Sequence, residues 1–387
     1  MRMLVVTTVD DMLRDFLLPY ARYFRLRGWR VDALARRDET YDECAAAFNH
    51  VYEADWSRNP LSLHAFLHGP RIMRGLVERE KYDIVHVHTP IAGFIARFGL
   101  RGLRQCGAVK VLYTVHGFHF YEGGSLLKNE MFLAMEKLAG RWTDSLIVIN
   151  REDEAKARRY RIVPPERLRY MPGIGIDLAH YDPDMVAATD IARARAELHL
   201  APAAVLFLMV AEFTANKNHR HAVQALARSG RPDLHLALAG RGEEMEATQR
   251  LATELGISER VHFLGYRRDI PVLVRSARAT LLVSTREGLP RSIMEALNLA
   301  VPVIGTDIRG IRDLLADGGG LLVPVGDIEK LSQAMMWMAD HPDEAREMGL
   351  KGRVGMGQYD LRSLIALHEA LYSEVFGQMP RSLLCDH

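Results

Sequence analysis

The chain has 387 residues, 48% of them apolar and 26% charged, which suits a soluble globular protein with room for two domains and a large core. Its 50 Lys+Arg against 49 Asp+Glu leave a formal net charge of +1, which excludes a general attraction to nucleic acid. No run of eighteen apolar residues occurs, which excludes a membrane-spanning helix, and Cys44, Cys106 and Cys385 lack any zinc-ligand spacing. The N-terminus is too acidic behind its short apolar run for a signal peptide, so a cytoplasmic protein is expected.

In chain order, short apolar runs alternate with helical patterns. Residues 3–9, 30–35, 83–88, 110–115 and 144–150 read as strands, followed by 204–211, 234–240, 261–265, 279–284 and 302–306. Most of these runs are continuously apolar, as in parallel strands covered on both faces. Stretches such as FLLPYARYFRLRG and HAVQALARSG between them have an apolar period near 3.6. Strand–helix–strand repetition predicts doubly wound α/β sheets. The Pro-, Gly- and Asp-rich stretch PPERLRYMPGIGIDLAHYDPD reads as a connector. Two Rossmann-like domains facing across a cleft are therefore expected, over 1–172 and 178–358, with a last helix at 361–376 docking back on the first.

The most informative stretch is STREGLPRSIMEALNLAVPVIGTDIRG, residues 284–310, which opens at the end of an apolar strand. Glu287 falls in the loop at the carboxyl end of that strand, where open α/β sheets bind ligands. Pro290 fits the first position of a helix that carries Glu295. Eight residues of helix span about 12 Å, whereas paired glycosidase carboxylates sit about 5 to 9.5 Å apart. Two contacts with one extended ligand fit better than a hydrolytic pair, and the helix-start N–H groups of Arg291 and Ser292 suit a phosphate. On spacing alone, a loop charge and a solvated helix charge are an equally open reading.

EGLPRSIMEAL resembles the E-x7-E signature of the family 4 glycosyltransferases, retaining enzymes of the GT-B fold, and REGLPRSIMEAL resembles their bacterial branch for surface and capsular polysaccharides. HVHTPIAGFIAR, YTVHGFHFYEG, GIGID, EFTANKNH, GRGE and FLGYRRDI are similar to family landmarks, in family order. The resemblance implies a nucleotide-sugar bound mainly on the C-terminal domain, with Glu287 on the donor sugar hydroxyls and Glu295 on the ribose. It implies that the backbone from Gly288 through Leu289 and Arg291 to Ser292 approaches the diphosphate. Lys217 would neutralise that diphosphate as charge develops on the leaving group. Where the family often has arginine, this chain has Glu212; Arg241, Arg286 and Arg291 are candidates to compensate. The base is expected near Tyr266, Arg267 and Arg268.

The resemblance also implies that His116 reaches the donor sugar or its phosphates from the N-terminal domain. His119 and His88 are assigned to the acceptor side, and His86 to the core. The glycine-rich loop of many relatives after the first strand is replaced by TTVDDMLRDFLLPYARYF, so Asp10, Asp11 and Arg14 are expected to contact the acceptor. The expected partners are a nucleotide-sugar, UDP before GDP, and a glycan or polyprenyl-lipid-linked acceptor. No cofactor and no metal are expected, since the Asp-Pro-Asp at 182–184 follows the connector. Residues 58–79 and 94–110 mix basic and apolar side chains and read either as interfacial helices at the cytoplasmic membrane face or as helices packed on their sheet. A catalytically degenerate nucleotide-sugar binder and a GT-B sugar-nucleotide epimerase are the rival readings.

Overall fold

The computed structural model describes residues 1–36, 41–54, 63–121 and 123–377. The chain forms two compact units: Met1–Ile174 with Ser363 onward (unit 1), and Gly175–Arg362 (unit 2).

Among the described residues, unit 1 holds a seven-stranded sheet: β1 (Arg2–Val9), β2 (Arg30–Arg36), β3 (Val51–Glu53), β4 (Ile84–Val87), β5 (Lys110–Val115), β6 (Ser145–Val148) and β7 (Leu168–Tyr170). Their order is β3-β2-β1-β4-β5-β6-β7, all parallel, so the order reverses between β1 and β4. Unit 2 holds β8 (Val205–Val210), β9 (Leu234–Ala239), β10 (Val261–Gly265), β11 (Ala279–Leu282), β12 (Val303–Thr306) and β13 (Gly320–Val323), in the order β10-β9-β8-β11-β12-β13. Here the reversal falls between β8 and β11. Central strands such as β4, β6, β11 and β12 are buried along their whole length, because helices cover both faces and only apolar side chains are tolerated there.

The strand readings hold to within one or two residues, with three additions. Strands β3, β7 and β13 have no signature in the sequence because they are three or four residues long, lie at sheet edges and are partly exposed. Helix Leu361–Gly377 packs on unit 1 from Ser363 onward. Its Tyr372 hydroxyl meets His86 Nδ1 at 2.6 Å, and its Glu369 accepts from the Tyr23 hydroxyl at 2.7 Å. No helix of the described residues is long and apolar enough to cross a membrane.

The segment after β1 is helical at once: an α turn over Asp10–Met12, a π turn over Leu13–Leu17, then helix Leu18–Leu26. Pro19 has no N–H to give to the preceding turn, which accounts for the change of register. Asp10, Asp11 and Arg14 therefore sit on helical turns rather than in an open loop. Of the basic–apolar stretches, 58–62 lie outside the described residues. Helix Leu63–Glu80 leaves Leu67 and Ile72 exposed. Stretch 94–110 is the larger part of helix Pro90–Gln105, a turn and the first residue of β5, and that helix buries Ile95, Ala96, Arg97 and Leu100. This second stretch is largely a helix packed on its sheet.

Candidate functional site

In a doubly wound sheet the loops at the carboxyl ends of the two strands flanking the reversal separate and leave a crevice. In unit 2 those loops follow β8 and β11, and they carry Lys217 and Glu287. Lys217 Nζ lies 2.5 Å from Glu287 Oε1, with the side chains 24% and 10% exposed. The two residues are 70 positions apart, and Asn216 holds them together. Its Nδ2 donates to the Arg286 carbonyl at 2.9 Å, and its Oδ1 accepts from the Thr285 hydroxyl at 2.8 Å. Its own carbonyl accepts from the Thr285 N–H at 2.9 Å. Asn218 adopts the left-handed conformation, at φ 55°, and its Nδ2 donates to the Val283 carbonyl.

From the other side, Arg309 Nε donates to the Glu287 carbonyl at 3.0 Å. Gly310 then passes so close that a Cβ there would lie 2.0 Å from the Gly288 carbonyl oxygen, and its φ is +75°. Only glycine fits that approach. The backbone from Thr285 to Gly288 is thus fixed by Asn216 on one side and by Arg309 and Gly310 on the other.

Helix Arg291–Asn298 follows, with Pro290 as its N-cap, one residue earlier than the first helical position expected from sequence. Proline offers no capping side chain to the first turn, which opens with Arg291 and Ser292. Glu295 is buried at 8% exposure, which removes the solvated-charge reading. Its Oε1 lies 3.2 Å from Arg291 Nη2, one turn earlier on the same helix. The Tyr181 hydroxyl joins this pair; its pKa is raised by burial first and then by the Glu295 charge. Tyr181 is placed by Asn298, whose Nδ2 donates to the carbonyls of Leu178 and Tyr181 at 2.9 and 3.0 Å. The two glutamates therefore engage different cations.

The remaining unit 2 candidates divide. Glu212 and Arg241 are both exposed, on adjoining loops joined by the Phe213 N–H to the Arg241 carbonyl at 2.8 Å. Tyr266 is exposed on the turn after β10. Arg267 does not present an open cation: it pairs with Asp269 at 2.7 Å and with Glu197 at 2.6 Å, and those carboxylates hold its pKa above the usual range. Asp182 of the Asp-Pro-Asp stretch caps a turn through the Asp184 N–H and pairs with Arg353 at 3.1 Å.

In unit 1, His116 follows β5 and His88 follows β4. His116 Nε2 lies 3.2 Å from His88 Nδ1, and the His88 ring lies 4.1 Å from that of His86. Burial, with the charge of His368 second, pushes the His116 pKa down to about 3. Burial also holds His88 well below its usual value, with His86, His116 and His368 adding to it. Both rings are neutral at physiological pH. His88 and Asp10 are 5% and 1% exposed, so they support the surface rather than form it. Asp11, Arg14 and His119 are half-buried. The loop carrying His116 and His119 is held by Asp153, whose carboxylate accepts from the Phe118 N–H.

Sequence reasoning missed Asn216, Thr285, Arg309, Gly310 and Tyr181. Asn216 had a signal, as the neighbour of Lys217 in ANKNH. The others had none, since their parts depend on contacts between distant loops.

Residues 14–173 match the family described as "Glycosyl transferase 4-like domain", and residues 190–354 match "Glycosyl transferases group 1". EpsD of Bacillus subtilis (strain 168), which carries glycosyltransferase in its name, is 31% identical over 356 residues, 91% of each chain. An Escherichia coli protein named UDP-Gal:alpha-D-GlcNAc-diphosphoundecaprenol alpha-1,3-galactosyltransferase is 28% identical over 271 residues, 68% of each chain. The crystal structure of Anabaena HepE in complex with UDP aligns with a TM-score of 0.79 over 97% of this chain and 100% of that one. At 18% identity that likeness shows the fold.

Proposed function

The chain belongs to the family 4 glycosyltransferases, with the GT-B fold and a place in polysaccharide or glycoconjugate biosynthesis, and we propose that it moves a sugar from a UDP-sugar to a glycan or lipid-linked acceptor with retention. One observation carries the donor site. Lys217, Glu287 and the helix start at Arg291 and Ser292 converge at the carboxyl ends of β8 and β11, on a backbone fixed by Asn216 and Arg309. A cation beside helix-start amides suits a diphosphate, whose charge grows as it leaves. UDP is favoured because the E. coli relative is named for UDP-Gal and HepE was solved with UDP.

In the reaction proposed, the acceptor hydroxyl oxygen bonds to the anomeric carbon on the face from which the diphosphate departs. The bond from that carbon to the diphosphate oxygen breaks, and the acceptor proton passes to the departing oxygen. Lys217 offsets the developing charge, Glu287 grips the sugar hydroxyls and Glu295 the ribose. The protein acts by position and charge, and no metal takes part. On unit 1, His116 presents a neutral imidazole, and Asp11, Arg14 and His119 serve the acceptor. Exposed Leu67 and Ile72 on helix Leu63–Glu80, beside Arg71 and Arg74, support a peripheral contact of unit 1 with the cytoplasmic membrane face.

A thermal-shift screen of UDP, GDP, ADP and their sugar conjugates tests this on wild type and Glu295→Ala. Ligands that bind the native state raise its melting temperature by mass action. UDP compounds should stabilise the wild type and fail to stabilise the variant. A labelled UDP-sugar should then turn over in EDTA. Stabilisation by no nucleotide at millimolar concentration overturns the donor site; binding without any turnover favours the degenerate binder.

A further inference from the structure

We infer that Glu287 and the donor diphosphate compete for Lys217, so that the carboxylate drives out the free nucleoside diphosphate and selects the nucleotide-sugar. The inference rests on the donor site assigned above. Lys217 Nζ lies 2.5 Å from Glu287 Oε1, a direct ion pair in which the carboxylate is only 10% exposed. A diphosphate that takes Lys217 must take it from Glu287. The backbone on either side is held by Asn216 and Arg309, so the exchange falls to the two side chains.

The consequence differs for two ligands. A nucleoside diphosphate leaves the displaced Glu287 carboxylate without its cation in a mostly buried place and adds like-charge repulsion, and both weaken binding. A nucleotide-sugar brings hydroxyl donors to the same carboxylate, so the charge lost at Lys217 is met by hydrogen bonds. Glu287 then serves twice. It recognises the sugar while the glycosidic bond is intact, and once the sugar has gone it returns to Lys217 and expels the diphosphate.

The test is a set of dissociation constants for UDP and UDP-glucose, by titration calorimetry, on wild type, Glu287→Gln, Glu287→Asp, Lys217→Gln and Glu287→Gln/Lys217→Gln. Glu287→Gln should bind UDP at least tenfold more tightly than wild type. Glu287→Asp, which keeps the charge on a shorter stem, should fall between the two. The tightening should vanish in the Lys217→Gln background, and UDP-glucose should gain less than UDP. Equal or weaker UDP binding by both Glu287 variants overturns the inference while leaving the donor site in place. Tightening that survives Lys217→Gln also overturns it, because general charge removal then explains the effect. Failure of the wild type and of both Glu287 variants to bind UDP or UDP-glucose removes the donor site itself, and the inference with it.

Discussion

At the sheet reversal of unit 2, the loops after β8 and β11 bring together Lys217 and Glu287 as a charged pair. At the carboxyl end of the unit 1 sheet, the loops after β4 and β5 bring together His88 and His116 as a neutral pair. Both sheets are parallel and reverse their order once, but the unit 2 pair flanks the reversal, whereas the unit 1 pair sits on β4 and the strand beyond it, and the surroundings differ. Unit 2 leaves its pair partly open and braces it with amide and guanidinium groups. Unit 1 sets His116 beside His88 and His88 on His86, with His368 and Tyr372 behind His86, and burial strips the pair of charge. A neutral imidazole gives or accepts hydrogen bonds but cannot neutralise a diphosphate.

Replacing the unit 2 cation should have the largest effect. Lys217→Gln should lower kcat by about 10² to 10³, the loss typical when one preorganised charge-stabilising donor is removed. His116→Gln should lower kcat less, by about tenfold, if the division between charged and neutral groups is right. Steady-state kinetics with the stabilising UDP-sugar decides. Equal losses would erase the distinction between the units.

Acidification probes the unit 1 side. An unfolded histidine takes up a proton near pH 6.5, whereas buried His116 and His368 resist until about 3 and about 4. Between those limits the unfolded chain binds more protons, so stability falls as pH falls. The penalty is absent above pH 6.5 and reaches about 2 kcal/mol per histidine at pH 5. In unit 2, His219 is pushed down to about 4, and burial also lowers His221, His235 and His262, none of which lies on β8 or β11. Hydrogen exchange from pH 7 to pH 5 should therefore speed up more at the amides of β4 and β5 than at those of β8 and β11. Parallel acceleration in both units would show that the histidine column carries no special penalty.

These differences mark how far the sequence alone reaches. The long inner strands are legible because burial on both faces demands unbroken apolar runs, as in VLFLMV of β8. Edge strand β13 escapes because it starts at Gly320 after two other glycines and is mostly uncovered. Lys217, Glu287 and Glu295 are legible as a spaced motif, but their pairing is not. Lys217 meets Glu287 only after two loops fold side by side, and Glu295 turns toward Arg291 and Tyr181 through a helical turn and the packing of the connector. The depth of His88 depends on helix Leu361–Gly377, nearly three hundred residues later, which supplies His368 and Tyr372. Arg309 gives no signal, since its partner is a backbone carbonyl.

An effect no larger than that of His116 is expected from Asn216, and it probes what keeps the charged pair in register. Asn216→Ala removes the donor to the Arg286 carbonyl and the acceptor for the Thr285 hydroxyl, while its backbone bond to Thr285 survives. Loss of such bonds costs roughly 1 to 3 kcal/mol, and Arg309 still holds the Glu287 carbonyl from the far side. The loop should thus stay folded but looser, with kcat/KM for the UDP-sugar down about tenfold. Asn216→Asp keeps the acceptor and loses the donor, so it should not recover the activity. Thr285→Val breaks the same hydroxyl contact, and combined with Asn216→Ala it should add less than its single effect, because both remove one shared bond. Full additivity would mean that the two residues act separately, and that unit 2 orders its charged pair by some means other than this bridge.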